Sequence, residues 1–430
     1  MNILIKFNGC IIECDYGYLF IIKDMYFRVM HVKSEIIKAN IKKLKKRRLY
    51  FVLPGNITRI VRGTEQFTLG IATYLSNYLD VTVLEPIHNN ESFKKIEEID
   101  KKYSKLKLGK IKMEKIKMPF GQYMFNFKGI PKEGIIYLPF DFFSEMPALL
   151  SKPKGQIYVL GVAHGLHLKK GNLANHGNIG KVVLRIAMAL LKLKGRDFKN
   201  TVYYHTHNSA QSRYLLNAGL SKNHIFQIPT FVQVKDFYIT NNRSKKLKVL
   251  HIGGVNKNAE FIVKIIDKLV TKKTIYDYEF HFIGREMPKR LNDLSKIYKN
   301  IIIHGFVDNK TKAMIMSGMD VLLLTDIEAF PVTMLEGLAS GLHIVSSDGN
   351  PAAFELKNLK ASVYILKDSY INDYISTLKI INKLKRSNLI NINRNKNREI
   401  ILSKYSEEVV CKEALEMFQK IDTVENQNPL

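Results

Sequence analysis

The stretch VLLLTDIEAFPVTMLEGLASGLHIVSSD, residues 321–348, decides the fold of this chain. Its apolar first residues, 321–324, predict a buried strand. Pro331 suits the first turn of a helix, because the N–H that proline lacks has no partner there. Gly341 suits the left-handed residue that closes such a helix, and the apolar residues 343–346 predict a second strand. This strand–loop–helix–strand order is typical of an α/β domain with a parallel sheet.

Short, continuous apolar runs of the same kind lie on both sides of this stretch. Continuous rather than alternating apolarity is typical of strands that are buried on both faces, as in a parallel sheet. Glycine or small polar residues follow several runs in the second half, as they do where strand ends bind ligands in open α/β sheets. Further strands are predicted at residues 49–53, 81–84, 135–138, 157–162 and 201–204, and at 248–252, 279–283 and 301–304.

The length of the chain, 430 residues, favours two cores of ordinary size. We predict an α/β architecture with two Rossmann-like domains at residues 47–235 and 248–402, joined by the polar segment 236–247. An amphipathic helix is expected within residues 403–421, since apolar side chains recur there at helical spacing. Residues 1–46 alternate strongly enough for two or three strands and then turn basic. A small N-terminal extension and an extra hairpin layer are both open for them.

The formal net charge of +28 indicates an anionic partner. Basic residues cluster at 42–48 and at 101–117. A solvated, lysine-rich surface is the simplest interpretation of these clusters, and attraction to anionic lipid headgroups is the second. No recognisable nucleic-acid-binding module accompanies the charge, so nucleic acid is not expected as a partner.

The three cysteines, Cys10, Cys14 and Cys411, indicate reduced thiols, since no second ligand pair completes a zinc site. The histidines of HTH at residues 205–207 also lack a carboxylate or cysteine to complete a cluster, so no metal and no bound cofactor are expected. The sequence shows no apolar segment long enough to cross a bilayer and no signal-peptide pattern. We therefore expect a cytoplasmic protein, with peripheral contact to the inner face of the cell membrane as an open alternative.

The predicted helix after Pro331 presents free N–H groups, on residues Val332 to Met334, toward the strand ends. Such a helix N-terminus binds anions, and a diphosphate is the expected ligand. Glu328 and Glu336 flank this position. A carboxylate beside an anion site is unfavourable unless it has a function of its own, and hydrogen bonds to sugar hydroxyls supply one.

In this context the sequence resembles family 4 of the retaining glycosyltransferases, which have the GT-B fold of two Rossmann-like domains facing a central cleft. The E-x7-E pattern of that family is matched by Glu328 and Glu336 within E-A-F-P-V-T-M-L-E-G-L-A-S-G. The resemblance implies that Glu328 contacts the donor sugar and that Glu336 binds the nucleotide ribose. It also implies that the amides following Phe330 hold the donor phosphates. The expected donor-binding residues here are therefore Phe330, Val332, Thr333 and Met334.

The segment HIGGVNKNAEF, residues 251–261, resembles the phosphate-binding turn of the same family. Gly253 and Gly254 form the turn, and Lys257 matches the family's diphosphate-binding lysine. Gly254 stands where the family usually has an arginine, whose bidentate phosphate contacts a glycine cannot make. The resemblance implies that Lys257 or Arg285 compensates.

The first half and the end of the chain carry further parts of the resemblance. Gly63, in R-G-T-E, matches a glycine turn where the backbone approaches the donor phosphate or the acceptor. His164, in IYVLGVAHG, matches a histidine that the family places beside the donor sugar. The helix within residues 403–421 resembles the C-terminal helix that crosses back to the N-terminal domain.

The resemblance implies transfer of a hexosyl group from a nucleotide-diphosphate sugar to a glycan or lipid-linked acceptor, with retention of configuration. Surface polysaccharide or glycoconjugate assembly is the expected setting. A helix N-terminus together with Lys257 would stabilise the departing diphosphate without a metal. Two alternatives stay open: a catalytically silent subunit that binds a nucleotide sugar, and a sugar-nucleotide epimerase that needs no acceptor.

Overall fold

Two parallel sheets and one small hairpin contain the strands of the computed structural model. The hairpin pairs β1 (Ile3–Phe7) with β2 (Cys10–Cys14) in antiparallel register. The structure describes residues 3–7, 10–14, 48–52, 63–87, 112–117, 131, 133–139, 156–162, 201–217, 219–240, 244–328, 330–367 and 370–427.

Seven strands from the first half of the chain form one parallel sheet. In chain order they are β3 (Leu49–Val52), β4 (Val81–Ile87), β5 (Lys112–Lys117), β6 (Ile135–Leu138), β7 (Ile157–Val162), β8 (Val202–Thr206) and β9 (Ile225–Gln227). Their spatial order is β5-β4-β3-β6-β7-β8-β9. Strands β3, β6 and β8 are buried along their whole length. The sequences of β3 and β6 are accordingly apolar or aromatic throughout, whereas β8 also buries His205 and Thr206.

Two described helices belong to this first half. They are α1 (Gly63–Leu75), which follows β3, and α2 (Ser209–Asn217), which follows β8. Apolar residues of α1 recur at helical spacing and are buried against the sheet. Each helix therefore begins near the carboxyl end of a strand, as in any βα unit.

Six strands from the second half form the other parallel sheet. They are β10 (Leu247–Ile252), β11 (Tyr278–Ile283), β12 (Ile301–Gly305), β13 (Val321–Leu324), β14 (His343–Ser347) and β15 (Val363–Leu366). Their spatial order is β12-β11-β10-β13-β14-β15. The order reverses between β10 and β13. Open α/β sheets bind ligands at the carboxyl ends of strands at such a reversal.

Helices cover both faces of the second sheet. They are α3 (Ala259–Thr271), α4 (Lys289–Ile297), α5 (Asn309–Ser317), α6 (Val332–Ala339), α7 (Pro351–Asn358), α8 (Ile371–Arg386) and α9 (Ile390–Lys404). One core lies under α5, α6, α7 and α9, and the core on the opposite face lies under α3, α4 and α8. This doubly wound arrangement is the predicted Rossmann-like architecture.

The last described helix, α10 (Glu407–Gln427), returns to the first sheet. Phe418 is 1% exposed, and its ring centroid lies 5.8 Å from that of Phe51 and 6.3 Å from that of Tyr137. Val410 and Met417 belong to the same buried cluster. The crossing of the C-terminal helix to the N-terminal domain is therefore confirmed. Among the helices in the described part of the chain, none combines the length and apolarity needed to span a bilayer.

The chain passes between the two domains at two adjacent points. The Val232 N–H donates to the Tyr405 carbonyl at 3.0 Å, so the outward and return segments touch. The Arg398 guanidinium donates to the carbonyls of Val234 and Phe237, which fixes the outward segment against α9. Both connections are thus held by hydrogen bonds to backbone groups.

The predicted strands are present, with ends displaced by a few residues. The structure also contains β5, β9 and β15, which the sequence analysis did not predict. Strand β5 lies inside the basic cluster 101–117, where alternating lysines suggest a solvated surface. Among the described strands it is the edge strand of its sheet, and it pairs there with β4. Lysine is tolerated, and even favoured, on such edges because it discourages pairing with other chains.

The ends of α6 differ in part from the prediction. Pro331 lies just before the helix, with an extended ψ of 116°, and the helix begins at Val332. The expectation that Pro331 occupies the first turn is therefore wrong by one position. Gly341 has a φ of +78°, the left-handed conformation expected after the helix.

We predict that Phe418→Ala destabilises the N-terminal domain, although residue 418 lies near the other end of the chain. Removing a buried phenylalanine typically costs about 3–5 kcal/mol, because the neighbouring rings cannot fill the cavity. Denaturant unfolding followed by tyrosine fluorescence measures this. Glu416→Ala, at an exposed position of the same helix, is the control and should leave the midpoint unchanged. Equal midpoints for the two variants would contradict the packing described above.

Candidate functional site

The candidate site lies at the carboxyl ends of β10 and β13, where the strand order reverses. A short 3-10 turn, Val255–Lys257, follows β10, and Asp326 and Glu328 follow β13. The Asn258 side chain donates to the Thr325 carbonyl at 3.0 Å and joins the two loops. Charged residues that are distant in sequence therefore lie together at the carboxyl ends of the two central strands of the sheet.

Lys257 lies between two carboxylates. Its Nζ is 3.0 Å from Asp326 Oδ2 and also forms an ion pair with Glu328 Oε1. About a third of each of the Lys257 and Glu328 side chains is exposed, whereas Asp326 is 15% exposed. An incoming anion can therefore reach this ammonium, but it must compete with Glu328 and Asp326 for it. Glu328 and Lys257, which the resemblance implies for the donor sugar and its diphosphate, are thus in direct contact.

Asn350 holds the loop that carries Glu328, and sequence reasoning missed it. The Glu328 N–H donates to Asn350 Oδ1 at 2.7 Å. The Asn350 amide nitrogen donates to the Asp326 carbonyl at 3.0 Å and to Ser346 Oγ at 2.9 Å. The side chain is fully buried, so these bonds are shielded from water. Its position directly before Pro351, at the start of α7, is the one signal in the sequence.

The Gly253–Gly254 turn leaves no room for a side chain. Gly253 has a φ of +134°, which only glycine adopts readily. A Cβ at Gly254 would collide with the carbonyl oxygen of Glu286, and the Val255 N–H donates to that same oxygen at 2.9 Å. The backbone of residue 286 thus occupies the space into which an arginine at position 254 would project.

Arg285 follows β11, the strand next to β10, and packs on an aromatic ring. Its guanidinium stacks over the Phe306 ring at 4.3 Å from the centroid, at the ends of β11 and β12. Phe306 is 40% exposed, so this stack borders solvent. The expectation that Arg285 replaces the missing arginine stays a prediction.

The start of α6 offers fewer amides than expected. Val332 and Thr333 are partly buried. The N–H of Met334 donates to the Pro331 carbonyl at 3.0 Å, and the Met334 side chain is fully buried. Met334 therefore has no amide to offer a ligand, which corrects the expected set of three. The reason is the tight turn at Pro331, which supplies the acceptor.

Phe330 contributes to the core rather than to an open surface. It is 9% exposed, and its ring centroid lies 5.9 Å from that of Tyr405. This contact ties the loop before α6 to the segment that returns to the N-terminal domain. Its expected role in binding the sugar donor can therefore involve only its backbone groups.

Glu336 is buried on α6 and paired with a residue that the sequence analysis did not single out. Lys312 Nζ lies 2.6 Å from Glu336 Oε1, with side-chain exposures of 16% and 10%. Glu336 Oε2 is buried and has no hydrogen-bond partner among the described residues. One carboxylate oxygen is thus engaged, and the other is a buried acceptor without a partner in the described part of the chain.

The N-terminal half of the candidate site is described in part. His164 lies outside the described residues, and Gly63 is described by its backbone alone, as the first residue of α1. His205 bonds to the Tyr137 hydroxyl and the Ile228 carbonyl, each at 2.8 Å, and burial lowers its pKa to about 4. It is a neutral core histidine. Among the described residues, no group of three or more His, Cys, Asp or Glu side chains is arranged to hold a metal.

A hydrogen bond joins a helix of the N-terminal domain to a helix of the C-terminal domain. The N–H of Ser209, at the start of α2, donates to Glu355 Oε1 on α7 at 2.6 Å. Helix α2 follows β8 and α7 follows β14, so the carboxyl ends of both sheets point toward each other. The charged cluster therefore opens toward the N-terminal domain.

The comparisons with known proteins agree with this geometry. Residues 246–369, which contain Lys257, Glu328 and Glu336, match the family model described as Glycosyl transferases group 1. Comparison of the sequence with curated proteins finds no match.

Solved structures with the same fold cover most of the chain. Sucrose-phosphate synthase from Thermosynechococcus elongatus has a TM-score of 0.63 at 13% identity, covering 88% of this chain and 99% of its own. The lipopolysaccharide outer core galactosyltransferase WaaB has a TM-score of 0.60 at 14% identity, covering 87% and 99%. HepE from Anabaena in complex with UDP has a TM-score of 0.58 at 12% identity, covering 86% and 99%. These similarities show the GT-B fold, and with the family match they support a glycosyltransferase.

We predict that Gly254→Arg lowers the thermal stability, although the family that the chain resembles usually has arginine there. The new side chain must displace the backbone of Glu286, and overpacking of this kind typically costs about 1–3 kcal/mol. Thermal unfolding measures the effect. Val255→Arg, at a neighbouring position that is 46% exposed, is the control and should keep the wild-type melting temperature. An unchanged melting temperature in Gly254→Arg would show that the turn can open.

Proposed function

We propose that this chain is a retaining glycosyltransferase of family 4 that moves a hexosyl group from a nucleotide-diphosphate sugar to a glycan or lipid-linked acceptor. The observation that carries the proposal is the contact of Lys257 with Glu328 at the strand-order reversal, inside the segment that matches the glycosyltransferase family. The spacing of Glu328 and Glu336 supports the family assignment and, through it, retention.

Charge accounts for the role of Lys257. The departing diphosphate gains negative charge in the transition state, and a donor aimed at that charge stabilises the transition state more than the ground state. The ammonium of Lys257 and the N–H groups of Val332 and Thr333 supply such donors. When the phosphates take over Lys257, Glu328 loses its cation and becomes free to accept hydrogen bonds from the sugar hydroxyls.

The nucleotide end of the donor lies along α6 in this proposal. Glu336 Oε2 is the acceptor for a ribose hydroxyl, since it is buried and without another partner in the described chain. UDP sugars are the first donors to test, because HepE, which shares the fold, has been seen with UDP. The net charge of +28 supports an anionic acceptor, such as a phosphate-linked lipid at a membrane surface, and hence surface polysaccharide or glycoconjugate assembly.

A second candidate function is a silent subunit that binds a nucleotide sugar without transferring it. Gly254 favours this alternative, since the turn has neither the arginine of the family nor the space for it. The pairing of Lys257 with Glu328 favours the enzyme, because the cation can bind the departing diphosphate and the carboxylate can then bind the sugar. Calorimetry and a turnover assay distinguish the two: a silent subunit binds the donor and forms no product.

We predict that Lys257→Met lowers kcat by about 10²–10³, the typical loss on removing one transition-state donor. Glu328→Gln and Glu336→Gln should also lower turnover, through the sugar and the ribose respectively. Product formation is measured with a panel of nucleotide sugars and glycan or lipid acceptors.

Lys264→Met, an exposed lysine of the neighbouring helix α3, controls for loss of positive charge and should retain wild-type turnover. Wild-type turnover in all three site variants would reject the assignment. Consumption of the donor without an acceptor product would point to an epimerase instead.

A further inference from the structure

The Lys312–Glu336 pair is unusual because both members are largely buried and yet incompletely hydrogen-bonded within the part of the chain that the structure describes. Lys312 lies on α5 and Glu336 on α6, with Nζ and Oε1 separated by 2.6 Å. The stem of Lys312 brings its Nζ to 5.9 Å from the centre of the Phe237 ring. The pair therefore sits between two helices and the segment that connects the domains.

Packing alone does not explain this pair. Taking two charges out of water is costly, and apolar residues of similar volume often serve a core as well or better. The neighbours of Lys312 on the buried side of α5, Ala313 and Met316, are apolar and belong to the core. A lysine at this position is better explained by a polar ligand that both charges contact.

The unused hydrogen-bonding capacity identifies the chemistry of that ligand. An ammonium has three N–H donors, and one of them is directed at Glu336 Oε1. Glu336 Oε2 accepts from no group in the described part of the chain. The pair therefore places the remaining N–H donors of Lys312 next to an acceptor, Glu336 Oε2. Two adjacent hydroxyls complement this arrangement, since one can donate to the carboxylate while the oxygen of the other accepts from the ammonium.

We propose that Lys312 is a specificity-determining residue of the donor site, which recognises the ribose diol of the nucleotide jointly with Glu336. This inference rests on the proposed function, in which Glu336 binds the ribose. Lys312 has two roles in it: it holds the Glu336 carboxylate so that Oε2 faces the sugar, and it donates to the second hydroxyl. The site thereby selects a ribonucleotide over a deoxyribonucleotide.

The test measures the preference for ribose rather than affinity alone. UDP and GDP are first titrated into the wild-type protein by calorimetry, and the nucleotide that binds is then compared with its 2′-deoxy and 3′-deoxy analogues. The wild type should prefer the ribonucleotide by about 10–100-fold, as expected for a hydrogen bond to a charged group. Lys312→Leu should reduce the preference to within about threefold, and Lys312→Arg should restore part of it.

The matched control is Lys310→Leu, which removes the same charge from an exposed position of α5 and should keep the full preference. Lys312→Met, of similar length and without charge, replaces the leucine variant if that variant does not fold. A wild-type preference in both uncharged variants, together with its loss in Glu336→Gln, would overturn the role of Lys312 and leave the proposed function intact. Absence of binding by either nucleotide in the wild type would overturn both.

Discussion

The parallel pairing of β10 with β13 is the constraint on which the candidate site depends. Val249 pairs with Val321 and His251 with Leu323, so the two strands end at the same level. The loops that follow these strands therefore lie next to each other, and Lys257 contacts Glu328. Since side chains alternate along a strand, a slip of one residue would turn every buried group of β13 to the other face. The buried valines and leucines that fix the register therefore also fix the geometry of the charges.

Most of the fold could be predicted because strands buried on both faces are written as continuous apolar runs. A strand whose sequence is not apolar cannot be recognised in this way. Strand β5 is rich in lysine and lies on a sheet edge, and only its pairing with β4 makes it a strand. Pro331 shows a second limit: the residue type indicates that a helix starts nearby, but the position of the helix end depends on which carbonyl accepts the first hydrogen bond.

The candidate site could be predicted where a charged residue lies near a strand end, as Glu328 and Lys257 do. Asn350 and Lys312 could not be found in this way. Their roles depend on contacts between elements far apart in the sequence, and the spacing of residues along the chain does not predict such contacts. The amide of Met334 shows the opposite error: an expected donor is already taken by a carbonyl within the same turn.

The placement of α10 in the first core bears on how the chain matures during synthesis. The last described strand of the N-terminal sheet is β9, yet Phe418 and Met417 belong to its core and are synthesised only after the whole second sheet. The second sheet and its helices are contiguous from β10 to α9, so nothing prevents them from folding earlier. Contacts of such long sequence separation form slowly, and the apolar face that awaits α10 is exposed meanwhile. A nascent chain of this kind exposes an apolar surface of its first domain until residues 407–427 have been synthesised, and chaperones bind such surfaces.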